Sequence, residues 1–182
     1  ENGANVFACT RKKSEDFLDL ISSLKDKSRV DINPVYFDFA ENDKIKDGIK
    51  TIISSKKKID ILVNNAGVAS GSFFHMTSMQ DLKEQFEINY FSQLLFTQGI
   101  SRYMSRFKSG SIINIVSTAG LLGDVGTISY GSSKASLIFA TKTMSAELGA
   151  INIRVNAIAP SITKTDMFFQ MEEKARTKLI EA

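Results

Sequence analysis

Three side chains in this sequence have the types and spacing to move a proton on and off an oxygen: Ser117, Tyr130 and Lys134. A tyrosine hydroxyl ordinarily ionises near pH ~10 and is a poor acid or base at neutrality. A lysine ammonium beside it stabilises the phenolate and brings that value down. Tyr130 and Lys134 stand at i and i+4, so on a helix they share one face about a turn apart. A serine hydroxyl at the end of a neighbouring strand can donate to a carbonyl oxygen or a developing alkoxide. The set suits carbonyl reduction or alcohol oxidation. Taken alone the Tyr-x-x-x-Lys spacing is weak, because the composition produces such pairs by chance and a surface helix pair is the plain alternative. Its company carries more weight: Asn64-Asn65-Ala66-Gly67, then Asn89, then Ser117.

The elements that must position these residues follow from hydrophobic period. Short β-rich runs at 6–9, 35–39 (after Pro34), 59–63, 112–116 and 153–158 alternate with stretches of helical period. Phe17, Leu18, Ile21 and Leu24 mark a first helix with Ser14 as its N-cap, and Ile45, Ile49, Ile52 and Ile53 a second. One long helix is expected over 81–107 and another over 130–148. Lys56, Lys57 and Lys58 read as a solvated helix end. Short apolar strands alternating with helices predict a single α/β domain over 1–182, a doubly wound parallel sheet with helices on both faces. In such a fold ligands sit at the carboxyl ends of the strands, where Asn64, Ala66, Gly67 and Ser117 fall.

Composition removes other classes. The 182 residues are 43% hydrophobic and 24% charged, as in a folded soluble protein, and 23 basic against 20 acidic residues leave a net charge of only +3. Charge of that size makes no case for nucleic acid or an anionic membrane, and the basic clusters lack interleaved aromatics. The single Cys9 cannot form an intrachain disulfide and reads as a small buried hydrophobe on a strand; with the lone His75 it supplies no metal-ligand spacing. No membrane span or signal segment is visible, so a cytoplasmic setting is expected.

The residues from 64 to 167 resemble, in kind, order and spacing, the short-chain dehydrogenase/reductase family, nearest to its 3-oxoacyl-carrier-protein reductases. The resemblance rests on the Asn89–Ser117–Tyr130–Lys134 set, on Asn64-Asn65-Ala66-Gly67, and on Asn156-Ala157-Ile158-Ala159-Pro160 leading to Thr165-Asp166-Met167. It implies a Rossmann-like three-layer fold and a hydride transfer between a nicotinamide and a carbonyl or secondary alcohol. Tyr130 would be the general acid, Ser117 would orient the carbonyl, and Lys134 would lower the Tyr130 pKa and bind ribose hydroxyls. Asn89 would hold a water through its helix backbone. Asn64, Ala66 and Gly67 would line the middle of the cofactor, Thr163 and Thr165 its carboxamide end, and Asp38 and Phe39 its adenine. A homodimer or homotetramer packed through the two long helices is also implied. A small-molecule or acyl-carrier-bound carbonyl is the expected substrate. A sugar, a small alcohol, a steroid-like ketone, or a non-catalytic scaffold of the same fold stay open.

Cofactor choice has a physical argument. A ribose 2′-hydroxyl is recognised by an acid at the strand end that reaches it, whereas a 2′-phosphate needs a cation. The first strand here ends in Cys9-Thr10-Arg11, followed by Lys12 and Lys13 with no acid, so NADP(H) is expected over NAD(H). Two departures from the family stand out. Ser161 follows Pro160 where glycine is common, predicting a different loop conformation. The glycine-rich turn that holds a pyrophosphate is absent, and with it the family's first strand, and the C-terminal strand is absent too. The expectation is an interior portion of a longer chain, with a gap between the strands at 6–9 and 59–63.

Overall fold

A computed structural model describes residues 3–163, in which strands β1 (Val6–Thr10), β2 (Ile32–Tyr36), β3 (Ile61–Asn64), β4 (Gly110–Ile115) and β5 (Ile153–Ile158) are all parallel. Five α-helices connect them: α1 (Glu15–Ser28), α2 (Asn42–Ser54), α3 (Met79–Phe86), α4 (Ser92–Met104) and α5 (Ile128–Gly149). The sheet is in two pieces, β1-β2 and β3-β4-β5. The expected gap is therefore present among the described residues, where β1 pairs only with β2 and β3 only with β4.

Strand parity decides what is buried. Leu62, Ile112 and Val155 lie in one row across β3, β4 and β5 and face a core closed by Ile100 and Met104 of α4. Val35, Phe37 and the α2 isoleucines Ile45, Ile49 and Ile52 extend that core across to β2. Phe37, Phe39 and Phe96 cluster at its centre, with ring centroids 5.2–5.8 Å apart. Ile32, of opposite parity to Val35, is buried outside this cluster, as is Ile21 of α1, so α1 covers the other face. Helices on both faces make the doubly wound arrangement. The outward row Ile61, Val63 and Ile158 stays exposed, because no described helix lies over it.

Most local expectations are met. Ser14 caps α1, its hydroxyl accepting from the Phe17 N–H at 3.3 Å. Lys57 and Lys58 are solvated ends, ion-paired with Asp31 and Asp60. Three expectations need correction. The second strand runs Ile32–Tyr36 with Pro34 inside it rather than before it. The Phe37 N–H donates to Thr10 O at 3.1 Å, so odd-numbered residues turn their N–H toward β1 and the Pro34 nitrogen faces the open edge, where no donor is needed. Cys9 keeps an exposed surface rather than full burial, since β1 has no neighbour on its second edge among the described residues, although the surrounding chain still pushes its thiol up to about 11 by desolvation. The helix expected over 81–107 is interrupted by a π-turn at Glu87–Phe91 and ends in a 3₁₀ turn at Ser105–Phe107.

Candidate active site

Ser117 sits two residues beyond β4 and caps a 3₁₀ turn, its hydroxyl accepting from Ala119 N at 3.2 Å. That turn lies flat on α5 because Gly120 of the turn and Gly131 of the helix each face backbone of the opposite segment. A Cβ on Gly131 would fall 2.6 Å from Ala119 O, and one on Gly120 would fall 2.8 Å from Ala135 N. Ser117 and Tyr130 are thus brought to neighbouring stretches of chain. Lys134, one turn along α5, is 4% exposed and donates to Ile115 O at 2.9 Å, with its Nζ 5.8 Å from the centre of the Tyr130 ring. Burial pushes its amine down to about 8 from the ordinary 10.5, so it remains largely cationic at neutrality.

Asn89 lies in the π-turn and is fully buried. Its amide makes a two-way clasp with Val68: Oδ1 accepts from Val68 N and Nδ2 donates to Val68 O, both at 2.8 Å. Nδ2 also donates to Ser133 Oγ at 3.1 Å, and Ser133 donates on to Tyr130 O at 2.7 Å. One chain of hydrogen bonds therefore joins the loop after β3, the π-turn and the start of α5. Gly67 is the tight point, for a Cβ there would lie 3.2 Å from Asn89 Oδ1 and 3.4 Å from Lys134 Nζ. Gly67, Asn89, Tyr130 and Lys134 converge.

Not every expected contact residue points toward that place. The Asn64 side chain is turned inward, 4% exposed, donating to Thr97 Oγ1 at 2.7 Å and Asn114 Oδ1 at 2.8 Å. Asn114 in turn donates to Thr141 Oγ1 at 2.8 Å, so the asparagine ties β3 to β4, α4 and α5 and leaves only backbone for a ligand. Ala66 is exposed, with its carbonyl held by Gln93. Phe39 has its ring in the aromatic cluster and its carbonyl on Ser92 Oγ; Asp38 accepts from Ala40 N at 2.8 Å. Arg11 is exposed and, with Lys12 and Lys13, takes no ion pair among the described residues. Thr163 is the last described residue, donating to Ser161 O at 3.3 Å; Thr165 lies outside the described residues. Ser161 does not adopt positive φ, so the serine carries no backbone strain there.

Ser133, Gln85, Gln93 and Thr97 were not singled out by sequence. Ser133 had a signal, its place inside Tyr-Gly-Ser-Ser-Lys; the others recur every four residues around Asn89. Beside the site a cleft of about 650 Å³ is lined by Phe73, Phe74, Leu121, Leu122 and Val125, and by Ala119 and Gly131 next to Ser117 and Tyr130. A larger hollow of about 840 Å³ lies where the strands begin, near Asp60, Gly110 and Ile153, and contains none of the candidate residues. The smaller cleft is the one that meets the chemistry. Among the described residues no cluster of three or more His, Cys, Asp or Glu could hold a metal ion, and no helix is long and apolar enough to cross a membrane.

The short chain dehydrogenase family model matches residues 1–176. The chain is 34% identical over 145 residues to the 3-oxoacyl-[acyl-carrier-protein] reductase FabG of Thermotoga maritima, covering 80% of this chain and 59% of that one. It is 38% identical over 128 residues to the 3-oxoacyl-[acyl-carrier-protein] reductase of Synechocystis sp., covering 70% and 52%. Among solved structures, a gluconate 5-dehydrogenase from Burkholderia cenocepacia, in complex with NADP and tartrate, superposes with a TM-score of 0.87 at 25% identity, over 97% of this chain and 69% of that one. The chain belongs to the short-chain dehydrogenase family. It spans between half and three fifths of the length of those two reductases.

Proposed function

We propose that the protein is an NADP(H)-dependent oxidoreductase reducing a carbonyl to an alcohol, with a 3-oxoacyl-[acyl-carrier-protein] as its substrate. The observation that carries this is the placing of Lys134, buried between Ile115 O and the Tyr130 ring and abutting Gly67. A binding module has no use for a desolvated cation held against a tyrosine.

The residues present suit a nicotinamide dinucleotide phosphate. Gly67 offers backbone where a side chain would block approach, Lys134 has further N–H groups for ribose hydroxyls, and Arg11 stands free for a 2′-phosphate while Asp38 is committed to its own turn. The NADP in the gluconate 5-dehydrogenase structure supports the same choice. When bound, the nicotinamide supplies the hydride to the carbonyl carbon. The Tyr130 hydroxyl gives its proton to the carbonyl oxygen as the alcohol forms, Ser117 holds that oxygen, and the Lys134 charge stabilises the phenolate left behind. The Asn89 π-turn, an irregularity of the kind common at functional sites, fixes Val68 and through Ser133 the backbone of Tyr130.

The apolar walls of the adjoining cleft favour an acyl group over a sugar. Exposed Phe91, at the π-turn before α4, and Phe139 on α5 support a homodimer or homotetramer. The test is NADPH oxidation by the full-length protein with acetoacetyl thioester against sugar ketones. Tyr130→Phe is expected to lower kcat by about 10²–10⁴-fold while NADPH still binds. Unchanged turnover in that variant overturns the assignment.

A further inference from the structure

The loop that carries Ala66 and Gly67 has an unusual support. Among the described residues, the backbone of 65–71 makes no hydrogen bond to any other backbone group, and most of its residues are exposed. Side-chain amides hold it instead. Gln85 Oε1 accepts from Ser70 N at 3.3 Å, and its Nε2 donates to Ser70 Oγ at 2.8 Å. Asn89 clasps Val68, Gln93 donates to Ala66 O, and Thr97 accepts from Asn64. Steps of four along the helices thus meet steps of two along the loop, running in opposite directions.

The match is geometric. Four helical residues rise about 6 Å and two extended residues cover about 6.6 Å, so the spacings stay together over several steps. Phase must match too. From 85 to 97 is 97 − 85 = 12 residues, whereas three α-turns take about 10.8. The π-turn at Glu87–Phe91 accommodates about one additional residue, which keeps all four side chains on the loop's side. Gln93 is held at a cost: it is 1% exposed, and its Oε1 is buried without a partner. An apolar side chain would be easier to bury there.

We infer that Gln85 and Gln93, flanking Asn89, are positioning residues that set the loop 66–70 and hold Gly67 in place beside Lys134. Neither touches the reacting atoms. The role rests on the reading of Gly67 and Lys134 as facing the cofactor, and the geometry of the loop can be tested apart from that reading.

The experiment uses the full-length protein with Gln85→Met, Gln93→Leu and the conservative Gln85→Glu, which keeps an acceptor for Ser70 N–H. Amide hydrogen exchange is read without cofactor, and KM for NADPH and kcat are read with it. In Gln85→Met, Ser70 N–H exchange is expected to be about 10-fold faster, with partial recovery in Gln85→Glu. Both apolar variants should raise KM for NADPH about 10-fold with kcat within about threefold, and Gln93→Leu should melt no earlier than wild type because the unpartnered oxygen is gone. Wild-type Ser70 exchange in Gln85→Met, or a lowered melting midpoint with KM unmoved, overturns the inference. A wild-type protein that fails to bind NADPH overturns the cofactor reading, and the exchange result then still decides whether Gln85 sets the loop.

Discussion

The Lys134 amine reaches from α5 across to the end of β4 and donates to the carbonyl of Ile115 at 2.9 Å. Burial leaves it desolvated, with a pKa of about 8 against the ordinary 10.5. Below about pH 8 the folded chain carries a buried charge. Between about 8 and 10.5 the folded chain has lost this proton while the unfolded chain still holds it, so stability rises with pH across that window. Relative to Lys134→Met, the wild type should gain on the order of 3 kcal/mol between pH 7 and pH ~10.5, measured by urea unfolding. A difference that is flat with pH would show that the amine is not desolvated.

Arg11 is exposed at the end of β1 with no ion pair among the described residues. Reversing its charge in Arg11→Glu should raise KM for NADPH about 10-fold or more and leave KM for NADH lower or unchanged. Steady-state kinetics with both cofactors decides it. Equal losses for both would place the 2′-phosphate elsewhere.

Gly131→Ala puts a methyl group 2.6 Å from Ala119 O, a backbone atom that can move only by carrying the turn after Ser117 with it. The expected cost is about 1–3 kcal/mol in stability together with a fall in kcat, because Ser117 is pushed from Tyr130. Thermal melts and kcat measured on the same preparation check both halves.

Asn64→Leu strands Thr97 and Asn114 inside the core and should cost about 2–3 kcal/mol. Combined with Asn114→Leu the loss should be smaller than the sum of the two, since the second change removes a group already orphaned. Strict additivity in chemical denaturation would mean that the two asparagines are not coupled.

Much of this was legible in the residues. The α2 isoleucines at 45, 49 and 52 are buried as their period requires, Ser14 caps its helix, and Asn89, Tyr130 and Lys134 converge. What escaped has physical causes. A helical period of about 3.6 cannot track a stripe that recurs every four residues across a π-turn, so no periodicity marks Gln85 and Gln93 as facing the loop. Cys9 depends on a neighbour β1 does not have here. The inward turn of Asn64 follows from strand parity, two residues beyond the buried Leu62, whereas its motif alone leaves the side chain's direction open.

Surface loops ordinarily absorb inserted or deleted residues at little cost. The stretch between Asn64 and Ser70 has no such latitude. Adding one residue at Ala69 would leave Val68 on Asn89 but offer Gln85 the wrong amide, and adding one at Asn65 would misalign Ala66, Val68 and Ser70 together. Its length is fixed to the single residue by the helix beneath it, so length variants generated at random in this region should survive selection for activity only where a compensating change falls between 85 and 97.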